Sequence, residues 1–148
     1  EAVIADAGCS RHAQAPLLFG GRNAEALATA LLAPPGSSCR LATDDGSVGF
    51  HGTVVDLAAA LIADGTLPPG PLLACGPWPM LAATARLAAG LGLPCLVSVE
   101  THMGCGVGIC TGCALRVRPE AAHFGGKEMV LACRQGPVFD AADLVWEA

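Results

Sequence analysis

The sequence predicts an α/β fold in which part of a parallel sheet, residues 1–99, is followed by a small cysteine-bearing domain, residues 100–148, built on a β-hairpin. Three observations predict it. Up to Val99, short apolar runs alternate with helical patterns, and that alternation means a parallel sheet with right-handed crossovers. Beyond Glu100 the rhythm gives way to Gly104-Cys105-Gly106-Val107-Gly108-Ile109-Cys110-Thr111-Gly112-Cys113, too rich in glycine for a helix or a central strand. Two short segments, 114–118 and 129–133, then read as paired strands.

In chain order, Glu1 to Gln14 is weakly patterned, and its first eight residues could end a helix or form a short strand. Pro16-Leu17-Leu18-Phe19 is a buried strand closed by a turn at Gly20-Gly21-Arg22-Asn23. Asn23 can cap a helix running from Ala24 to about Leu32, with Glu25 favoured by the helix dipole, until Pro34-Pro35-Gly36 stops it. Cys39 to Thr43 is the second strand, and Asp44-Asp45-Gly46-Ser47 opens a loop through Gly49 and Gly52. Thr53 starts a helix to about Ala63, with Val54, Leu57, Ala58, Leu61 and Ile62 on one face. Pro71 to Cys75 is the third strand, Gly76 to Met80 a turn, Leu81 to Ala89 a helix and Pro94 to Val99 the fourth strand. Ala114 to Arg118 alternates apolar and charged residues as an edge strand does, Met129 to Cys133 is its partner, and Gly136 to Asp140 is a closing turn.

The composition narrows the function classes. Charged residues make up 14% of the chain and apolar ones 53%, against about a quarter charged in an ordinary soluble domain, so some apolar surface is expected to meet a partner. A formal charge of -5 with no basic stripe argues against a nucleic-acid surface. The longest apolar run, Leu81 to Val99, is interrupted by Arg86, Gly90, Gly92 and Pro94, which argues against a membrane span. The first ten residues carry no secretory pattern, and a cytoplasmic location is expected.

Cys105, Cys110 and Cys113, with Cys133 twenty residues on, have the plant-type [2Fe-2S] ligand spacing. The intervening glycines let the loop turn tightly and bring backbone N–H groups to sulfur. Four thiolates would also suit zinc, but zinc sites usually pair their cysteines in two short knuckles, whereas here three stand together and one alone. A disulfide pairing is the remaining alternative. A Rieske centre would need two histidine ligands, and His102 and His123 do not fall in such a pattern.

Weaker signals lie at the carboxyl ends of the predicted parallel strands, where ligands bind in such sheets. Gly21, Arg22, Asp44, Asp45, Cys75, Gly76, Pro77 and Met80 occupy those ends and form a candidate nucleotide-binding edge. The same glycines, prolines and aspartates also suit ordinary turns, and no Gly-x-Gly-x-x-Gly fingerprint is present. Cys75 could lie beside a nicotinamide ring or be a small buried hydrophobe; Cys9, Cys39 and Cys95 are taken as the latter. Trp78 and Trp146 are taken as packing or interface residues in preference to stacking platforms, and the four histidines receive no role.

Phe19-Gly20-Gly21-Arg22, Thr43-Asp44-Asp45-Gly46-Ser47, Cys75-Gly76-Pro77-Trp78-Pro79-Met80, the cysteine loop and Gly136-Pro137-Val138-Phe139-Asp140 resemble, in this order, the electron-transfer subunit of class 1B dihydroorotate dehydrogenase. That family has a ferredoxin reductase-like nucleotide-binding domain followed by a cluster domain. The resemblance implies FAD and a [2Fe-2S] cluster held by Cys105, Cys110, Cys113 and Cys133, a Cys-Gly-Pro turn near the nicotinamide, and a relay from the FMN of a catalytic subunit to NAD in pyrimidine biosynthesis. The family also has an amino-terminal β-barrel for FAD and a first glycine-rich loop. This chain contains neither and has no tyrosine, so it resembles the carboxyl-terminal part and is not expected to be active, or to hold FAD and NAD, alone. Other reductases of the superfamily, linked to sulfide, sulfite or ferredoxin, are the alternative, as is a non-enzymatic module around structural zinc.

Overall fold

The computed structural model describes residues 15–27 and 38–146. The reading of Glu1 to Gln14, Cys9 and His12 included, lies outside them, as do the end of the first expected helix and its Pro34-Pro35-Gly36 stop. The chain divides into two compact units that part between Leu67 and Pro68.

In the first unit, β1 (Leu17–Gly21), β2 (Cys39–Thr43) and β3 (Phe50–His51) form a parallel sheet in that order. β3 falls where the sequence suggested only a loop. Thr43, fully buried, explains it: its hydroxyl donates to the Val48 carbonyl at 2.8 Å and accepts from the Val48 N–H at 3.2 Å, folding the loop back so that Phe50 and His51 pair with β2. Helix α1 (Val54–Ala63) starts as expected, because Thr53 and Asp56 form a reciprocal capping box that satisfies two N–H groups left open at a helix start. Leu57 and Leu61 on its buried face pack with Ala42 of β2, and Leu18, Phe50 and Leu67 close over this small core. Asn23 accepts from the Ala26 N–H at 3.0 Å, where residues 25–27 form a 3-10 turn.

In the second unit, β4 (Leu72–Gly76) pairs in parallel with β5 (Cys95–Val99) through helix α2 (Trp78–Leu91). The helix begins three residues before the predicted Leu81, because a helix's first turn needs no intrahelical N–H donors and so accepts Pro77 as its cap and Pro79 inside it. Gly92 ends it in the left-handed conformation. β6 (Ala114–Arg116) and β7 (Met129–Leu131) make the expected hairpin, in register Ala114 to Leu131. The segment expected to be a closing turn contains strand β8 (Val138–Asp140), antiparallel to β5, because Phe139 reaches the core. Leu81, Val97, Val117 and Leu144 are fully buried in one cluster with Leu115, Val130 and Phe139. Truncating Leu81 there to alanine would cost about 2–5 kcal/mol.

The described strands thus form a parallel sheet, a mixed sheet and a hairpin instead of one parallel sheet. β8, from beyond residue 99, completes the β4–β5 sheet and shares its core.

Candidate functional site: the cysteine loop

Between β5 and β6 the chain runs through successive bends with no regular structure. Positive φ angles at Gly106, Gly108 and Thr111 wind it so tightly that N–H groups point back at sulfur. The N–H groups of Ile109 and Cys110 lie 3.4 and 3.5 Å from Cys105 Sγ, and Cys113 Sγ accepts from the Cys133 N–H at 3.5 Å.

Cys133 does not sit on the hairpin strand, as the sequence suggested. β7 ends at Leu131, and Cys133 belongs to the short helix α3 (Ala132–Gln135). The hairpin still delivers it, because the Ala132 N–H donates to the Cys113 carbonyl at 3.0 Å and so sets the start of α3 against the third cysteine.

The electrostatics follow from these donors. The N–H groups of Cys110, Val107 and Ile109, in that order, with the neighbouring Cys110 thiol, hold the Cys105 thiol down to about 6, so that it ionises readily. The Cys133 N–H and thiol lower Cys113, and Cys133 is in turn raised by Cys113 and by burial. Cys105 interacts with Cys110 and Cys113 with Cys133, and Cys105 also raises Cys133 across the loop. All four are free thiols. Among the described residues no three His, Cys, Asp or Glu side chains gather around a point where one metal ion would sit. Zinc would take four thiolates around one ion, and a two-iron cluster would take two thiolates on each iron.

The other sequence candidates occupy strand ends. In the first unit, Gly21 ends β1, and its carbonyl accepts from the Asp44 N–H at 3.1 Å, while that of the exposed Arg22 accepts from Asp45 at 3.2 Å. The Asp45 carboxylate accepts from the Ser47 N–H at 2.9 Å, and Ser47 with its backbone lowers the Asp45 pKa, which is the ordinary turn chemistry allowed for at this position. In the second unit, Cys75 and Gly76 end β4, Pro77 caps α2, and Met80 lies in its first turn. Gly76 has a φ of +152°, and a Cβ there would meet Met80 Cε at 2.9 Å. Cys75 is exposed, which excludes the buried-hydrophobe reading, and its thiol faces the Glu100 carboxylate at 4.0 Å. Cys39 is exposed as well, whereas Cys95 is buried, as expected.

Sequence reasoning passed over Arg134 and Lys127, which line a cleft of about 320 Å3 with Gly108 of the loop and Met129 of β7. Arg134 follows Cys133 directly, and that adjacency was the available signal. It also left His123 without a role, yet His123 Nε2 lies 3.2 Å from the Asp143 carboxylate.

Residues 100–145 match the family model described as the iron-sulfur cluster binding domain of dihydroorotate dehydrogenase B. The chain is 38% identical over 107 residues to the dihydroorotate dehydrogenase B (NAD(+)) electron transfer subunit of Desulforamulus reducens, covering 72% of this chain and 38% of that protein. It is 36% identical over 104 residues to that of Caldanaerobacter subterraneus subsp. tengcongensis, covering 70% and 39%. The chain therefore spans well under half the length of these curated relatives. Among solved structures, a chain of the NADH-dependent reduced ferredoxin-NADP oxidoreductase superposes with a TM-score of 0.70 at 25% identity, over 87% of this chain and 43% of that one.

Proposed function

We propose, from the premise that this chain belongs to the family of dihydroorotate dehydrogenase B electron-transfer subunits, that it supplies the iron–sulfur relay of such a subunit. In this reading electrons pass from the FMN of the catalytic subunit, which oxidises dihydroorotate for pyrimidine biosynthesis, toward FAD and NAD. When bound, a [2Fe-2S] group supplies single-electron transfer between flavins, which a hydride carrier such as NAD cannot do.

Cys105, Cys110, Cys113 and Cys133 would hold the group as thiolates, and the N–H groups of Ile109, Cys110 and Cys133 would stabilise charge on sulfur. The cysteine loop with backbone donors aimed at Cys105 and Cys113 is the observation that carries this reading. Gly21, Arg22, Asp44 and Asp45 at strand ends of the first unit, and Cys75, Gly76, Pro77 and Met80 at that of the second, would contribute to the nucleotide site of the whole subunit. Ferredoxin-linked chemistry is the second reading, favoured by the likeness to the ferredoxin-NADP oxidoreductase.

The test is the metal and acid-labile sulfide content of anaerobically purified full-length subunit, read with its visible spectrum. Iron and sulfide in equal amounts with brown absorption are expected, abolished by serine at Cys105, Cys110, Cys113 or Cys133 and retained with serine at Cys39, Cys75 or Cys95. A colourless protein holding stoichiometric zinc would overturn the proposal. Reduction of the cluster by dihydroorotate through the catalytic subunit, and not by ferredoxin, is the outcome that separates the two readings.

A further inference from the structure

We propose that the cleft between Lys127 and Arg134 receives a carboxylate side chain of the protein partner that covers the cysteine loop. The inference rests on the relay reading above and adds the chemistry by which the partner is recognised.

The chain has a formal charge of -5, so two cations on one cleft depart from its general character. Among the described residues neither Lys127 nor Arg134 has a carboxylate within salt-bridge distance. Gln135 lines the same cleft, and its Oε1 accepts from the Leu131 N–H at 3.0 Å, which leaves its NH2 to donate. An ammonium, a guanidinium and an amide donor lining one cleft make a site for a carboxylate.

Gly108 ties this cleft to the loop. Its φ is +83°, and a Cβ there would overlap Cδ and Cγ of Arg134, so the arginine stem lies directly over the loop backbone. The guanidinium is thereby held at the edge of the surface that an electron-transfer partner must cover.

The surroundings favour a protein surface over a free anion. Val107, Ile109 and Met129 are 62%, 82% and 54% exposed around the cleft and loop, an apolar area that a small anion would leave in water. An apolar centre beside charged groups is the usual anatomy of a protein interface. Cations at its edge would steer an acidic partner into register and make association salt-dependent.

The experiment uses the full-length, cluster-loaded subunit and its flavin-bearing catalytic subunit, with affinity measured from about 50 to about 500 mM salt. Lys127→Glu and Arg134→Glu are each expected to weaken association about tenfold and to flatten its salt dependence, while the visible spectrum stays native. Lys127→Arg and Arg134→Lys should keep most of the affinity. Arg134 touches the loop, so Lys127→Glu is the deciding variant: native affinity and native salt dependence in that protein would overturn the proposal and leave the relay reading standing. Self-association of the subunit that Lys127→Glu abolishes would also overturn it, since the occupant would be a second copy. No association between wild-type subunits would overturn both.

Discussion

Among the described residues, the chemistry of a cysteine follows from its neighbours. Cys105 and Cys113 are met by backbone N–H groups that favour the thiolate. Cys95, facing the core from β5, is pushed up first by burial and then by the Asp140 carboxylate, so its thiol stays protonated to higher pH than usual. Cys39 and Cys75 are exposed. Native-state alkylation followed by mass spectrometry should therefore label Cys39 and Cys75 at mildly alkaline pH and leave Cys95 unlabelled until the chain is unfolded; rapid labelling of Cys95 would contradict its place in the core. The tight winding of the cysteine loop was legible because its glycines, with positive φ at Gly106 and Gly108, are a local property of sequence. The exposure of Cys75 was not, since it depends on which face of β4 finds a partner, and that is decided by strands and helices far along the chain.

Element boundaries reflect how local their causes are. The start of α1 was legible from Thr53, whose hydroxyl accepts from the Asp56 N–H at 3.1 Å, while the Asp56 carboxylate accepts from the Thr53 N–H at 3.1 Å and hydroxyl at 2.7 Å. The pairing of β8 with β5 was not legible, because its stabilisation comes from burying Phe139 against residues some forty positions away, and the third strand of the first sheet was missed because Thr43 folds the loop back through hydrogen bonds that periodicity does not reveal. The capping box carries its own prediction. Thr53→Ala should lower stability by about 1 kcal/mol in chemical denaturation, and Thr53→Ser should restore most of it. Asp56 has its pKa lowered by the Thr53 hydroxyl and N–H, so the unfolded chain binds this proton first on acidification. Its contribution is present above the ordinary aspartate range and is lost as pH falls through the lower folded value. The acid limb of the stability profile should accordingly be shallower in Thr53→Ala than in the parent protein. Equal slopes in the two would show that the cap does not set the Asp56 ionisation.

For the molecule as a whole, the shortage of charge and the surplus of apolar residues have a visible outlet. In the second unit, register places Leu73 beside Leu96 and Ser98 beside Val138 on one face of the mixed sheet. Leu73, Leu96 and Val138 on that face are 70%, 42% and 53% exposed, whereas Val97 and Phe139 on the opposite face are buried. Exposed leucines side by side favour association in water, although Asp140 and Ser98 share the face, and a formal charge of -5 over 148 residues offers modest repulsion against it. The 148-residue chain on its own is therefore expected to show a mass that rises with concentration in sedimentation equilibrium. The pair Leu73→Lys and Leu96→Lys should keep it monomeric and change its folding stability by no more than about 0.5 kcal/mol per site, because neither side chain is packed in the core. A parent chain that stays monomeric at the highest soluble concentration would show that this face is adequately hydrated as it stands. A lysine pair that unfolds the protein would show instead that these leucines are covered in solution, since only removal from water gives a surface leucine several kcal/mol to lose.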